Sequence, residues 1–297
     1  MTAKAILHML SPLKHMSPFD VNMALDAGFD SVTPYVNVTL DEVTGLVQDA
    51  MFSRPPHDAV RTGVFIGGRD VILALDMLNA ARAALLKPFE LSIFADPAGS
   101  FTTAAAMVAC VEKVLQDKFQ KSLKGARVVV FGATGVVGFC TGVISALEGA
   151  QVQLAGHDGA ARVQKIADEI KKRFKVDTKA ADGGDNAKIR TLLADADIAL
   201  CCAKAGVQIL SRADVAAASN LKIAADVNAV PPLGVEGVDL FANGAPIDGA
   251  KALGVGALAI GNVKYRTESG LFQRMASGGA PLCLDFRDAF ALARTLA

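Results

Sequence analysis

Three glycines, Gly132, Gly135 and Gly138, are spaced three residues apart directly after the apolar run at 127–131. Where a strand meets a helix, such glycines allow a tight turn, close approach of the backbone to a pyrophosphate and close helix packing, and the helix N-terminus favours negative charge. The pattern therefore predicts a dinucleotide site rather than a purely structural turn. The residues expected to form this site are Gly132, Ala133, Thr134, Gly135, Val136, Val137 and Gly138.

The residues after the predicted strand at 151–155 should select between dinucleotides. Asp158 can accept hydrogen bonds from the adenosine ribose 2′-hydroxyl and would repel a 2′-phosphate, which favours NAD. His157 can be cationic, and Arg162 lies one helical turn further on, so NADP can also be accommodated. The alternative interpretation of Asp158 is a cap on the following helix.

Further candidates follow other predicted strands, because ligands of open parallel sheets bind at the carboxyl ends of the strands. Ala203 is expected beside the adenosine and Asn228 beside the nicotinamide amide. Asp96 is expected to face the substrate, with a helix cap as the alternative. Cys201 and Cys202 are adjacent, but at the end of an apolar strand we expect both thiols to be buried and inert.

The chain lacks the Tyr-x-x-x-Lys pair with which many reductases donate a proton to a carbonyl. Tyr35 is followed four residues later by Thr39, and Tyr265 by Ser269. Short-chain carbonyl reductases are therefore disfavoured. A reaction that moves a hydride without a proton is favoured instead.

Composition disfavours several other classes of protein. Thirty basic and 30 acidic residues balance to zero, so neither nucleic acid nor an anionic membrane is an expected partner. The five cysteines and four histidines show no metal-ligand spacing, which predicts no metal site and a reduced, cytoplasmic setting. The stretch 128–147 is uncharged and long enough to span a bilayer, but its glycines and strand-like start predict a buried strand, turn and helix. The N-terminus shows no evident signal peptide.

The order of predicted elements indicates an α/β fold of two domains that share a cleft. Residues 1–122 are predicted to form an N-terminal α/β substrate domain, and 123–269 a Rossmann-like NAD(P)-binding domain with a parallel sheet. Two closing helices can pack back on the first domain, so that 270–297 would complete it. The strands of the second domain are expected at 127–131, 151–155, 197–201 and 222–226.

Several longer motifs are more specific than the glycine turn. They are Asn37-Val38-Thr39, Phe65-Ile66-Gly67-Gly68, DPAGSFTTAAA at 96–106, DVNAVPPLG at 226–234 and GALAIG at 256–261. In these motifs, and over almost its whole length, the sequence resembles the NAD(P)-dependent methylene-tetrahydromethanopterin dehydrogenases of bacterial one-carbon metabolism. More distantly, it is similar to the methylene-tetrahydrofolate dehydrogenases.

The resemblance implies oxidation of methylene-tetrahydromethanopterin to the methenyl form during formaldehyde oxidation, by a homo-oligomer. This chemistry agrees with the missing proton donor. One hydride leaves a carbon held between two nitrogens, whose lone pairs stabilise the remaining cation, so no general base is required. The protein has to supply position and a suitable electrostatic environment.

The resemblance also assigns site residues. Phe19 is expected to pack on the pterin face, Thr103 to hydrogen-bond near the ring and Lys264 to lie close to the imidazolidine, while Asp96 and Ser100 belong to the same substrate site. Each of the first three also has an ordinary structural interpretation. Phe19 can be a core residue at a helix start, Thr103 a helix N-terminal hydroxyl, and Lys264 a surface lysine.

The sequence departs from the family pattern in two places. His157 and Asp158 stand where NADP-restricted members have Arg and Lys, which points to NAD or to both cofactors. Glu268 stands where members have a histidine, one turn after Lys264, and can pair with that lysine across i, i+4. Glu268 is therefore included among the candidate site residues.

Other functions remain open from the sequence. One is a methylene-tetrahydrofolate dehydrogenase or another atypical reductase with the same glycine turn. A different class is a non-catalytic regulator that senses NAD(P)H. A sensor would bind nucleotide without turnover and would tolerate loss of Lys264, whereas an enzyme would not.

Overall fold

The computed structural model describes residues 3–297. Its strands are β1 (Ile6–Leu10), β2 (Ser31–Tyr35), β3 (Thr62–Ile66), β4 (Ser92–Ala95), β5 (Arg127–Phe131), β6 (Gln151–Gly156), β7 (Lys179–Asp182), β8 (Ile198–Cys201), β9 (Ile223–Asp226), β10 (Asn243–Pro246), β11 (Leu253–Val255) and β12 (Cys283–Leu284). Its helices are α1 (Pro18–Asp26), α2 (Val43–Phe52), α3 (Pro56–Ala59), α4 (Val71–Ala84), α5 (Ser100–Phe119), α6 (Val136–Leu147), α7 (Ala160–Phe174), α8 (Asn186–Ala194), α9 (Arg212–Ala217), α10 (Ala257–Ala276) and α11 (Phe286–Ala293).

The chain divides into two compact α/β units. The first contains the described residues up to Thr102 together with Tyr265–Leu292, and the second contains Thr103–Lys264 together with Ala293–Ala297. The α/β class with parallel sheets, predicted from the sequence, is confirmed. These boundaries fall inside α5 and α10, whereas the sequence pattern placed them at 122–123 and 269–270.

The first unit is built on a parallel sheet in the order β12-β4-β3-β1-β2. Strands β3 and β4 lie in its interior and are buried at every position, which is typical of a parallel strand covered on both faces. Phe65, Phe94 and Phe272 pack against one another with ring centroids 5.3–5.5 Å apart. The short strand β12 was not predicted, because two residues carry no periodic signal.

The second unit is built on a sheet in the order β10-β11-β9-β8-β5-β6-β7, and every strand pair is parallel except β10 with β11. The four strands predicted for this domain are confirmed within one residue at each end. Strand β7, with the sequence KAAD, was missed because it is a polar edge strand. The segment 231–256, in which no strand was assigned from the sequence, forms β10 and β11.

The segment Pro97–Phe119 is long and apolar enough to cross a membrane by length and composition alone. In the protein, 78% of its most apolar window is buried.

The C-terminal residues belong to the second unit, where Arg294 forms two hydrogen bonds of 2.6 Å with Glu112 and another with Glu148. A bidentate guanidinium–carboxylate pair is among the stronger polar contacts in proteins.

A partly buried ionic network joins three strands of the second sheet at their amino ends. Asp197, just before β8, accepts hydrogen bonds of 3.0 Å from both the main-chain N–H and Nε of Arg127, and one of 2.5 Å from Nζ of Lys222. Burial opposes ionisation of this carboxyl group, but the hydrogen bonds from Arg127 and Lys222 outweigh it and lower the pKa of Asp197. The network therefore stabilises the ionised, folded form.

We expect Asp197→Asn to lower the free energy of unfolding at neutral pH by about 1–3 kcal/mol, because partly buried charged hydrogen bonds lose a partner. Since the pKa of Asp197 is lower in the folded state, its stabilisation is present above the unfolded pKa of about 4 and is lost as the pH falls below it. Denaturant unfolding over a pH series should thus show the difference shrinking on acidification. The matched control is Asp195→Asn, whose carboxylate is exposed and 3.8 Å from Arg127, and a pH-independent difference would contradict the account.

Candidate functional site

The glycine turn joins β5 to α6 at the carboxyl edge of the second sheet. Gly132 has a φ of +80°, and a Cβ atom there would lie 2.5 Å from the carbonyl oxygen of Cys202 at the end of β8. A Cβ atom at Gly138 would lie 2.4 Å from the carbonyl oxygen of Gly132. Both positions therefore require glycine because backbone packs against backbone.

Gly135 has a different role in the same turn. It is exposed, it is the N-cap of α6 with an ordinary φ of −85°, and the nearest atom to an added Cβ would be 3.4 Å away. Its surface and the first amides of α6 are thus open to a ligand, which is the arrangement that accommodates a phosphate. Within the turn, the side chain of Ala133 is fully buried, whereas Thr134, Val136 and Val137 are half-buried.

The exposed residues His157 and Asp158 follow β6, the strand next to β5. Asp158 Oδ2 lies 3.5 Å from Nη1 of Arg162, and both side chains are largely exposed. The N-cap of α7 is Gly159, and no side chain caps this helix, so the alternative of Asp158 as a cap is not observed. The carboxylate and the guanidinium are therefore both available to a ribose or a phosphate at this strand end.

The end of β8 is apolar, and its two thiols are buried. Burial raises the pKa of Cys201 and raises that of Cys202 to about 12, so both thiols stay protonated near neutral pH. Cys202 Sγ lies 3.6 Å from both Thr141 Oγ1 and Met107 Sδ. Ala203 is half-buried next to Gly132, which places it at the glycine turn.

The loop after β9 contains Asn228, which the sequence placed beside the nicotinamide amide. Its side chain is buried and hydrogen-bonded within the loop. Nδ2 donates to the carbonyl oxygen of Pro232 at 3.0 Å, and Oδ1 accepts from Val230 N–H at 2.9 Å. Sequence reasoning passed over Asp226, a buried carboxylate that anchors this loop. The signal for it was an acidic residue that closes the apolar run IAA and precedes an asparagine by two positions.

In the first unit, Asp96 caps the N-terminus of α5. Its Oδ1 accepts from the main-chain N–H of Phe101 at 2.7 Å, and its Oδ2 from Thr102 Oγ1 at 2.5 Å. The carboxylate is fully buried and makes the contacts of the capping alternative. Ser100 begins α5 and is half-buried.

The remaining predicted site residues lie on three helices. Phe19 is in the first turn of α1 and 47% exposed, so it is not the core residue of the alternative interpretation. Thr103 is half-buried in the first turn of α5, and Lys264 is half-buried in α10. Glu268 follows Lys264 by one turn of α10 and is fully buried.

Two solved structures share this architecture over nearly the full length of the chain. 5-Ketofructose reductase of Gluconobacter sp. strain CHM43 is 17% identical with a TM-score of 0.53, and the alignment covers 99% of each chain. Quinate dehydrogenase from Corynebacterium glutamicum in complex with NAD is 13% identical with a TM-score of 0.55 and 98% coverage of each chain. These likenesses show the fold, in which two α/β units are joined and one of them is Rossmann-like.

Sequence comparison identifies the family of the chain. The family model described as methylene-tetrahydromethanopterin dehydrogenase, N-terminal, matches residues 18–98. An NAD(P)-dependent methylenetetrahydromethanopterin dehydrogenase from Methylorubrum extorquens strain AM1 is 54% identical over 99% of both chains. A second protein of that strain, bifunctional protein MdtA, is 34% identical over 95% of both. The chain belongs to the methylene-tetrahydromethanopterin dehydrogenase family.

Substitutions of two of these glycines should affect NADH binding and folding stability separately. We expect Gly135→Ala to keep the thermal stability of the wild type but to weaken NADH binding about tenfold or more, because the methyl group occupies the open face of the turn. Gly132→Ala should instead cost about 2 kcal/mol or more of folding free energy, through overpacking and a strained φ. Thermal unfolding and NADH fluorescence titration measure the two effects. Equal NADH affinity in wild type and Gly135→Ala would show that no phosphate approaches this turn.

Proposed function

We propose that the protein transfers a hydride from methylene-tetrahydromethanopterin to NAD(P)+, giving the methenyl product, as a step in formaldehyde oxidation. The observation that carries the proposal is the turn around Gly135, whose open face and helix amides suit a pyrophosphate. The 54% identity to a relative named for this activity supports the choice of substrate.

The chain's own task in this reaction is to bind and orient two ligands. Bound NAD(P)+ supplies the hydride acceptor. No residue has to remove a proton, because nitrogen lone pairs of the substrate stabilise the positive charge that the departing hydride leaves. The tyrosines agree with this: Tyr35 Oη lies 3.1 Å from His8 Nδ1 in the first sheet, and Tyr265 is exposed and followed by Ser269 four residues later.

We assign the cofactor to the carboxyl edge of the second sheet. Residues 132–138 receive the pyrophosphate, and Ala203 lies beside the adenosine. Asp158 accepts the ribose 2′-hydroxyl of NAD, while His157 and Arg162 supply positive charge for the 2′-phosphate of NADP. The exposed Asp158–Arg162 pair, at 3.5 Å, supports use of both dinucleotides because either partner can turn to the ligand.

We assign the pterin to residues of the N-terminal region and of α10. The exposed Phe19 ring packs on the pterin face, Thr103 hydrogen-bonds near the ring, and Lys264 orients the imidazolidine. Ser100 belongs to the same site. Because Asp96 is buried as the cap of α5, it fixes the helix turn that carries Ser100 and Thr103.

Glu268 completes the candidate site residues through its position in α10. We retain it because a carboxylate one turn after Lys264 can form an ion pair with the lysine.

The balanced charge of the chain supports a small-molecule enzyme without nucleic-acid or membrane partners. We also propose that the protein is a cytoplasmic homo-oligomer, as the resemblance to this family implies.

The proposal is tested by following nicotinamide absorbance with purified protein and every combination of two substrates and two dinucleotides. The substrates are methylene-tetrahydromethanopterin and methylene-tetrahydrofolate, and the dinucleotides are NAD+ and NADP+. We expect reduction of both dinucleotides with the methanopterin substrate. Reduction with the folate substrate alone would move the protein to the folate enzymes, and tight binding without turnover would indicate a sensor.

Lys264→Ala should lower kcat/KM for the methanopterin substrate about 100-fold, while the affinity for NADH changes little, because the lysine orients the pterin and not the nucleotide. Lys251→Ala, which removes an exposed lysine from the loop before β11, is the matched control and should behave as wild type. Steady-state kinetics and NADH titration provide the two readings. Wild-type turnover by Lys264→Ala would remove this residue from the site.

Asp158→Arg should shift the ratio of kcat/KM for NADP+ over NAD+ upward by about tenfold or more, because a carboxylate that repels the 2′-phosphate is replaced by a cation. Asp177→Arg, a substitution of an exposed aspartate before β7, controls for the added charge. Initial rates with both dinucleotides measure the ratio. An unchanged ratio would mean that Asp158 points away from the ribose.

A further inference from the structure

The loop that follows β9 is anchored at both ends by one buried carboxylate. Asp226 is only 2% exposed. Its Oδ1 accepts the main-chain N–H of Asn228 at 2.9 Å, and its Oδ2 accepts the main-chain N–H of Val235 at 3.0 Å. The side chain therefore joins the first and last turns of the loop 226–235, which then cannot move independently of β9.

Two further contacts make the loop a single unit. A Cβ atom at Gly234 would lie 2.7 Å from Asp226 Oδ1, so the carboxylate fits only because this position is glycine. Inside the loop, the Asn228 side chain connects the carbonyl oxygen of Pro232 to the main-chain N–H of Val230. The tip at 229–232 remains exposed on this fixed base.

The sheet order gives this loop a position relative to the proposed cofactor. The pyrophosphate turn follows β5, and the residues proposed for the adenosine ribose follow β6 on one side of it. On the other side lie β8 and then β9, with Cys201 of β8 paired to Asp226 of β9. A dinucleotide lies across the carboxyl edge of such a sheet, so its nicotinamide half extends past β8 toward β9.

A buried carboxylate is a costly way to hold a loop unless the exact shape of that loop matters. Taking a charge out of water is unfavourable, and hydrogen bonds from main-chain N–H groups only offset that cost. Here the cost is borne directly beside the expected nicotinamide position, by a residue with no task in hydride transfer. Asn228 has one donor and its acceptor oxygen already engaged within the loop.

We propose that Asp226 is a positioning residue for the nicotinamide half of the dinucleotide. We further propose that Asn228 holds the loop together by hydrogen bonds within it and does not bind the carboxamide. The loop 226–235, held by these two side chains, receives the ring. This inference rests on the proposed function, because it requires a dinucleotide at residues 132–138. It deepens that function by assigning cofactor affinity to a side chain that does not touch the cofactor.

The first test compares the affinity of Asp226→Asn for NADH and for ADP-ribose, which lacks the nicotinamide, by titration of the full-length protein. The new amide group would face a main-chain N–H, so the loop should loosen. We expect NADH affinity to fall about tenfold, while ADP-ribose affinity stays within about twofold of wild type. Asp214→Asn is the matched control, because Asp214 is equally buried in the second unit but belongs to the capping box at the start of α9. It should lower stability without changing the NADH to ADP-ribose ratio.

The second test uses Asn228→Ala and the 3-acetylpyridine analogue of NAD, which lacks the carboxamide NH2. If Asn228 only holds the loop together, Asn228→Ala lowers the affinities for NAD and for the analogue by the same factor, because the substitution affects both ligands only through the loop. A selective loss for NAD would instead show a direct contact and overturn the assignment. This variant keeps the inference testable if Asp226→Asn does not fold.

The outcomes separate this inference from the proposed function. Wild-type protein that binds neither NADH nor ADP-ribose would overturn both. Wild-type protein that binds both ligands, with equal losses for both in Asp226→Asn or with no loss in a folded variant, would overturn only the positioning role. A selective loss of NADH affinity that Asp226→Glu partly restores would support it.

Discussion

The close approach of backbone to backbone at the β5–α6 turn is the constraint on which the site depends. Gly132 and Gly138 leave no space for a side chain between the turn, the start of α6 and the end of β8. This packing fixes the first amides of α6 at the carboxyl edge of the sheet, with Gly135 open toward solvent. Every other cofactor assignment follows from that fixed point, because the neighbouring strands then set where the adenosine and the nicotinamide extend.

Buried carboxylates in this protein organise main chain near the proposed ligands. Asp96 caps α5, and Asp226 anchors the loop after β9, in each case by accepting main-chain N–H groups. Charge is thus used to hold segments in place, while the thiols at the end of β8 stay protonated. That pattern suits a reaction in which a hydride moves and the protein contributes geometry, since no side chain has to exchange a proton during the step.

Sequence patterns predicted the elements with strong local signals and missed those that depend on distant partners. The apolar strands β5, β6, β8 and β9 were identified, as was the glycine turn between β5 and α6. The edge strands β7, β10 and β12 are short or polar, and only pairing across the sheet makes them strands. Likewise, the type and position of Asn228 suggested a ligand, but its partners Val230 and Pro232 are set by the folded loop. Asp96 could be a cap or a ligand by sequence, and its burial favours the cap.

We infer that hydride leaves the substrate without proton transfer to or from the protein. Single-turnover kinetics with substrate deuterated at the methylene carbon, in H2O and in D2O, tests this inference. We expect a primary isotope effect from the deuterated substrate and no effect of D2O on the rate of the same step. A solvent isotope effect on the hydride step would contradict it, because a side chain would then be moving a proton in the transition state.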